Sequence, residues 1–142
     1  MREEKRFGAH LLRVEEPDFL YLEIHGPLRS DEMLALFREH DERLLATGVL
    51  FTLVDVSKAA GMERGAKNAW QSRPRDLPTH AVAMVGAPFR TRTFIDLLVR
   101  AIRTLTRAQV HVRFWPTEAE ARVWLGEKRR EFGRRSRDYS SK

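Results

Sequence analysis

Hydrophobic positions along the chain follow two periods, and the change from one to the other marks out the elements. Ala9–Glu15 is predicted as a first strand, and Pro17-Asp18 as the turn after it. Phe19–His25 sets Leu20, Leu22 and Ile24 against Phe19, Tyr21, Glu23 and His25. That period of two predicts a strand with one more polar face, paired with the first as an antiparallel hairpin. Gly26-Pro27 is expected to end it. The period then lengthens. Leu34, Phe37, Leu44 and Leu45 share one helical face, with Ser30 as N-cap, Asp31 and Glu32 at the positive helix start, and Gly48 as the stop.

Val49–Val56 is apolar almost throughout, the pattern of a central strand covered on both faces. Ser57–Gly65 reads as a loop, Ala66–Ser72 as a weakly signalled short helix, and the stretch with Pro74 and Pro78 as irregular. Ala81–Val85 is a short buried strand. A helix starting at Thr91 or Thr93 and reaching about Thr106 turns Phe94, Leu97, Leu98, Ala101, Ile102 and Leu105 inward. Val110–Trp115 alternates again and reads as a strand nearer an edge. Thr117 and Glu120 form a capping box for a last helix carrying Ala121, Val123, Trp124 and Leu125. The order ββαβ(α)βαβα predicts a single α/β domain. Its mixed, mostly parallel sheet of four or five strands opens with a β-hairpin and carries about four helices.

Several of these stretches resemble one bacterial group. "FLYLEIHGPLRSDEMLALF" is similar to the hairpin and first helix of SpoIIAA-like (STAS-like) proteins. "GVLFTLVDVSKAAG" resembles their central strand, "HAVAMVG" the next, and "VRFWPTEAEARVWL" the closing strand and helix. The resemblance spans roughly residues 8–127 and extends to the CRAL-TRIO lipid-binding domains. It implies a regulatory, protein-binding module. It also implies a phosphorylatable serine in an Asp-Ser-(Ser)-Gly turn after the central strand. Here that place falls on Glu63-Arg64-Gly65, or on Ala59-Ala60-Gly61 with a shortened loop, and neither supplies a hydroxyl. Ser57 precedes the expected place.

Composition narrows the function. The 142 residues are 42% hydrophobic and 32% charged, which fits one folded domain with its own core. Cysteine is absent, which removes disulfides, thiolate chemistry and Cys-ligated zinc. The amino-terminal segment is charged and no apolar run approaches the roughly 18 residues of a membrane span, so a cytoplasmic protein that does not cross a membrane is expected. The net charge is +6. Glu127–Lys142 holds seven Lys/Arg against three Asp/Glu, so residues 128–142 read as a basic, frayed tail after a domain spanning 1–127.

No motif for catalysis stands in the chain. Nucleophile elbows, phosphate loops and His-Glu-x-x-His are all missing, so enzyme status has no support, and no cofactor or metal is expected. The five histidines, His10, His25, His40, His80 and His111, read as surface or half-buried residues. Asp55, at the carboxyl end of a buried strand, reads first as the acceptor of an Asx-type turn and second as a ligand contact.

The candidate ligand or partner surface is Asp55, Ser57, Met62, Trp70, Arg90, Arg92, Ile95 and Val99. Ile95 and Val99 widen the apolar arc of their helix to roughly 200°, more than one core face needs. Thr91, Thr93 and the N–H groups of that helix start, with Arg90 or Arg92, could receive an anion. Arg100, Arg103, Arg107, Arg129, Arg130, Arg134 and Arg135 are the candidate polyanion contacts. A protein partner or a homodimer is the first expectation, and an apolar ligand or lipid the second. Nucleic acid is a weaker one, because only Phe132 and Tyr139 could stack on bases in the tail.

Overall fold

The computed structural model describes residues 3–65, 69, 72–74, 76–89, 92, 93, 96, 100 and 110–140, with the backbone alone for 134–140. Six strands form one mixed sheet: β1 (Glu3–Phe7), β2 (His10–Glu16), β3 (Phe19–Leu28), β4 (Phe51–Met62), β5 (His80–Val85) and β6 (Val110–Trp115). Their order in space is their order in the chain. The first three pair antiparallel, and β3 to β6 are parallel. Helix α1 (Ser30–Thr47) follows β3 and helix α2 (Glu118–Ser140) follows β6. Of the helix expected over 91–106, Arg92, Thr93, Asp96 and Arg100 are described and helical, and the remainder lies outside the described residues. Most of the short helix expected at 66–72 lies outside them too.

Alternation along the strands divides the core into two layers. Leu12, Leu20, Leu22, Ile24 and Met84 face Met33, Leu36 and Leu44 of α1. On the other face Phe51, Leu53, Ala81, Ala83 and Val85 meet Ala121, Trp124 and Leu125 of α2. β4 contributes to both layers, as its nearly continuous apolar run requires.

Several expectations are corrected. The sheet has a sixth strand, β1, whose EEKRF sequence carries charge on both faces and no apolar period. It is an edge strand joined to β2 through Gly8-Ala9, and Gly8, with φ of 62°, supplies the positive dihedral of a two-residue hairpin turn. β3 does not stop at Gly26-Pro27 but reaches Leu28. Pro27 is tolerated because the ladder pairs Gly26 with Ala59 and Leu28 with Met62, leaving Pro27 in an irregularity. The segment read as a loop from Ser57 is strand as far as Met62, beside that extension of β3.

The fourth correction concerns α1. Its N-cap is Arg29, whose N–H donates to Glu32 Oε1 at 3.0 Å, while Ser30 Oγ donates to Glu63 Oε1 at 2.6 Å. The buried face is Met33, Leu36, His40, Asp41 and Leu44, and Leu45 is 53% exposed. Gly48 ends the helix as expected, its N–H bonded to Leu44 O. Thr117 Oγ accepts the Glu120 N–H at 3.3 Å and caps α2. The segment expected to fray after Glu127 is helical through Ser140.

Candidate functional site

The carboxyl end of β4 is where the sheet parts. β4 and β5 stay paired up to Asp55 opposite Val85, after which β4 continues beside β3 alone among the described strands. Two register shifts against β3, one after Asp55 and one after Ala59, bend this overhang. Ser57, Lys58, Ala60 and Gly61 are exposed, while Met62 is half-buried against the α1 side of the core. Phe89, four residues beyond β5, is 81% exposed. Gly86 abuts Ser57 so closely that a Cβ on it would stand 2.7 Å from Ser57 Cβ, and its φ of 74° also favours glycine.

Asp55 Oδ1 accepts the Ser57 N–H at 2.9 Å and the Ser57 hydroxyl at 2.6 Å. This is the Asx-type geometry read from the sequence, formed inside a bulged strand instead of a loop. Beside it, burial pushes the Tyr21 phenol up to about 12, and the carboxylates of Glu23, Glu118 and Asp55 add to the effect. Tyr21 therefore keeps its proton at neutral pH, with Arg13 stacked 4.4 Å from its ring centre. His25 Nε2 lies 3.3 Å from Glu23 Oε1. His10, fully buried, accepts the His25 N–H on Nδ1 at 3.0 Å and so presents its Nε2–H to Glu32 Oε1 at 3.2 Å.

A second polar group, unseen in the sequence reading, lies under α1. His40 Nδ1 donates to Asp41 Oδ1 at 2.9 Å, and Arg73 grips both oxygens of Asp41 at 3.0 and 2.7 Å. His80 Nδ1 donates to Pro78 O at 2.8 Å, and its ring meets that of His40 edge-on at 5.3 Å. Burial pushes His40 down from the usual histidine range and His80 down to about 3. Burial works to raise Asp41, but the hydrogen bonds from His40 and Arg73 prevail and hold it at about 2. His40 and Asp41 are neighbours in the chain; Arg73 and His80 reach them only through the fold.

At the opposite end of the sheet, α2 passes the β2–β3 turn. Arg122 binds Glu15 through two hydrogen bonds of 2.7 and 3.0 Å and Glu118 through one of 3.1 Å. The bond from Arg122 holds the Glu15 carboxyl below its ordinary range. Arg129 pairs with Glu16 and Asp18. Between these clusters lies a cleft of about 260 Å³ floored by Phe19, Phe51 and Leu125.

The structure search matches the anti-sigma factor antagonist SpoIIAA in its unphosphorylated form, with a TM-score of 0.56 at 10% identity over 82% of this chain and 97% of that one. The fold is SpoIIAA-like. An uncharacterized DUF3478-family protein of SpoIIAA-like fold from Shewanella loihica PV-4 aligns over 88% of this chain and 92% of its own, at 14% identity and a TM-score of 0.45. No family model matches the sequence, and no curated protein matches it.

Within this SpoIIAA-like fold the candidate residues separate. Asp55 and Ser57 are together at the end of β4, and Met62 closes the overhang. Arg92 is exposed, with its guanidinium 5.2 Å from the centre of the Phe114 ring. Thr93 Oγ donates to Phe89 O at 3.1 Å, so that hydroxyl is turned back into its own helix and away from any anion. Trp70, Arg90, Thr91, Ile95, Val99, Arg103 and Arg107 lie outside the described residues. Arg129 is not an open polyanion contact, being engaged by Glu16 and Asp18. Arg100 and Arg130 are exposed, and Arg134 and Arg135 continue α2. Among the described residues, no group of three His, Asp or Glu side chains could hold a metal ion, and no helix is long and apolar enough to cross a membrane.

Proposed function

We propose that this chain is a non-enzymatic regulatory module of the SpoIIAA-like kind that works in the cytosol by binding a protein partner at the carboxyl end of β4. The observation that carries the reading is the overhang itself. Ser57–Met62 leaves β5 behind, so one edge of the strand has no partner among the described strands, and Ser57, Lys58, Ala60 and Gly61 are exposed along it. An unpaired strand edge is a template for another chain. The two bulges and Lys58 discourage indiscriminate strand addition, while the exposed Phe89 offers the kind of aromatic anchor that dominates interfaces. The similar protein SpoIIAA is an anti-sigma factor antagonist, a regulatory role.

Regulation here works through binding and not through phosphate on this strand. The Ser57 hydroxyl already donates to Asp55 Oδ1 at 2.6 Å. A phosphate on Ser57 would add negative charge directly beside that carboxylate, and like charges repel.

A photo-crosslinking residue at Ala60, compared with one at the exposed Glu127, tests the site in the native host. The expected result is a discrete partner adduct from position 60 alone, lost in an Ala60→Arg protein. Equal adducts from both positions, or none from position 60, overturn the reading.

A further inference from the structure

We infer that the carboxyl-terminal half of α2 binds the phosphodiester backbone of duplex nucleic acid. The 23 residues of α2 span about 34 Å at 1.5 Å per residue. The helix starts beside β6, with Trp124 against Trp115, and runs back to the start of β4, where Phe132 meets Phe51. Among the described side chains Phe132 is the last of α2 in the apolar core, and the helix continues for two more turns.

Helical spacing sorts the charges of that extension. Positions 130, 134 and 137 fall on one face, opposite Ala121, Leu125 and Phe132, which face the sheet. Val123, on the same outer face, is 63% exposed, and Arg130 is exposed as well. The inner arginines are neutralised where they stand: Arg122 by Glu15 and Glu118, Arg129 by Glu16 and Asp18. Lys128 engages Glu131 at 3.1 Å. Among the described residues Arg130 has no ion-pair partner, so the acidic β2–β3 turn does not neutralise it.

The chemistry of the stripe selects the ligand. Arginine presents a planar fork that matches phosphate oxygens two at a time. Arg130, Arg134 and Arg137 extend over about 10 Å of helix, and a duplex offers one charge per about 1.7 Å of its axis. A lipid surface fits less well, because a membrane helix needs a free apolar face. The apolar face of α2 is spent on the sheet as far as Phe132, and Tyr139 is the one aromatic or aliphatic residue after it. The same shortage of aromatics disfavours single strands, which bind by base stacking. The stripe lies at the opposite end of the sheet from the β4 overhang, so the two surfaces can be occupied together.

Fluorescence anisotropy of the full chain with a short mixed-sequence DNA duplex tests this. Three phosphate contacts predict an affinity that falls about 40-fold between about 50 and about 200 mM salt, equally for a scrambled duplex. Arg130→Gln/Arg134→Gln/Arg137→Gln, checked for unchanged circular dichroism, should remove that salt dependence and most of the binding. An Arg38→Gln protein, which alters a charge on α1, should bind as the wild type does. Absence of binding at about 50 mM salt overturns the proposal. So does a salt slope that the triple variant leaves unchanged. Flotation with phosphatidylserine vesicles that depends on the stripe, without duplex binding, would assign the site to a lipid surface instead and also overturn it.

Discussion

Two of the molecule's arginine–carboxylate pairs stand in different surroundings. Arg73 and Asp41 meet under α1 with side chains 14% and 6% exposed; Arg122 and Glu15 meet at the margin of α2 with side chains 35% and 12% exposed. Both arginines grip both carboxylate oxygens, and both lie over aromatic rings, Phe37 for Arg73 and Phe19 for Arg122. The difference is water. Removing Asp41 takes the carboxylate from a buried guanidinium, whereas removing the part-exposed Arg122 opens Glu15 to water and leaves it Arg13 at 3.2 Å. The first pair also holds His40 in place through Asp41, so two side chains depend on one carboxylate. Similar geometry therefore need not mean similar energetic weight.

The largest expected effect is at Asp41. Asp41→Ala should lower stability by about 3–5 kcal/mol, measured by urea unfolding at neutral pH, because Arg73 and His40 lose their common acceptor. Asp41→Asn should lose less, since an amide oxygen still accepts a hydrogen bond; a loss as large as alanine's would assign the whole effect to charge.

The pH dependence comes next. His40 and His80 are held neutral, with His80 at about 3, so the unfolded chain takes up protons that the folded chain refuses. Stability should be full above about pH 6.5 and fall as pH drops below it, by up to about 1.4 kcal/mol per pH unit for each such histidine. Asp41, depressed to about 2, keeps its contribution until the pH falls below the ordinary carboxylate range. Urea midpoints between about pH 7 and about pH 5 therefore report the histidines, and a His40→Asn/His80→Asn protein should show a shallower profile.

Arg122→Ala is expected to cost about 1 kcal/mol or less, diminishing further as salt is raised. Equal losses at Asp41 and Arg122 would erase the distinction between the two pairs. The smallest effect belongs to Ser57→Ala, which removes an exposed donor to Asp55 and should change unfolding by less than about 0.5 kcal/mol.

The sequence displays neither of these pairs. Period two in Phe19–His25, the apolar run to Val56 and the Thr117 cap are local signals, and each led to the element that formed. β1 was hidden because an edge strand wetted on both faces needs no apolar period. The overhang of β4 was hidden because two bulges break the alternation that would have announced it. Asp55 and Ser57 are two residues apart, so their bond was legible. Arg73 and Asp41 are 32 residues apart and Arg122 and Glu15 107 apart, and no spacing rule joins them. The shared face of positions 130, 134 and 137 needed the continuous helix, because in a frayed tail those positions share no face.

The coincidence of spatial and chain order in the sheet has a consequence for how the protein is made. Each strand finds its neighbour already in place when it leaves the ribosome, and the growing sheet never has to open to admit a later strand. Synthesis from the amino terminus can thus lengthen the sheet one strand at a time. Among the described elements α2 follows all six strands, and it reaches back across β6 and β5 to β4 and, through Arg122 and Arg129, to the β2–β3 turn. Phe51, Leu53, Ala81, Ala83 and Val85 therefore wait for Ala121, Trp124 and Leu125 of a later-made helix, so α2 acts as a clasp on a sheet already assembled.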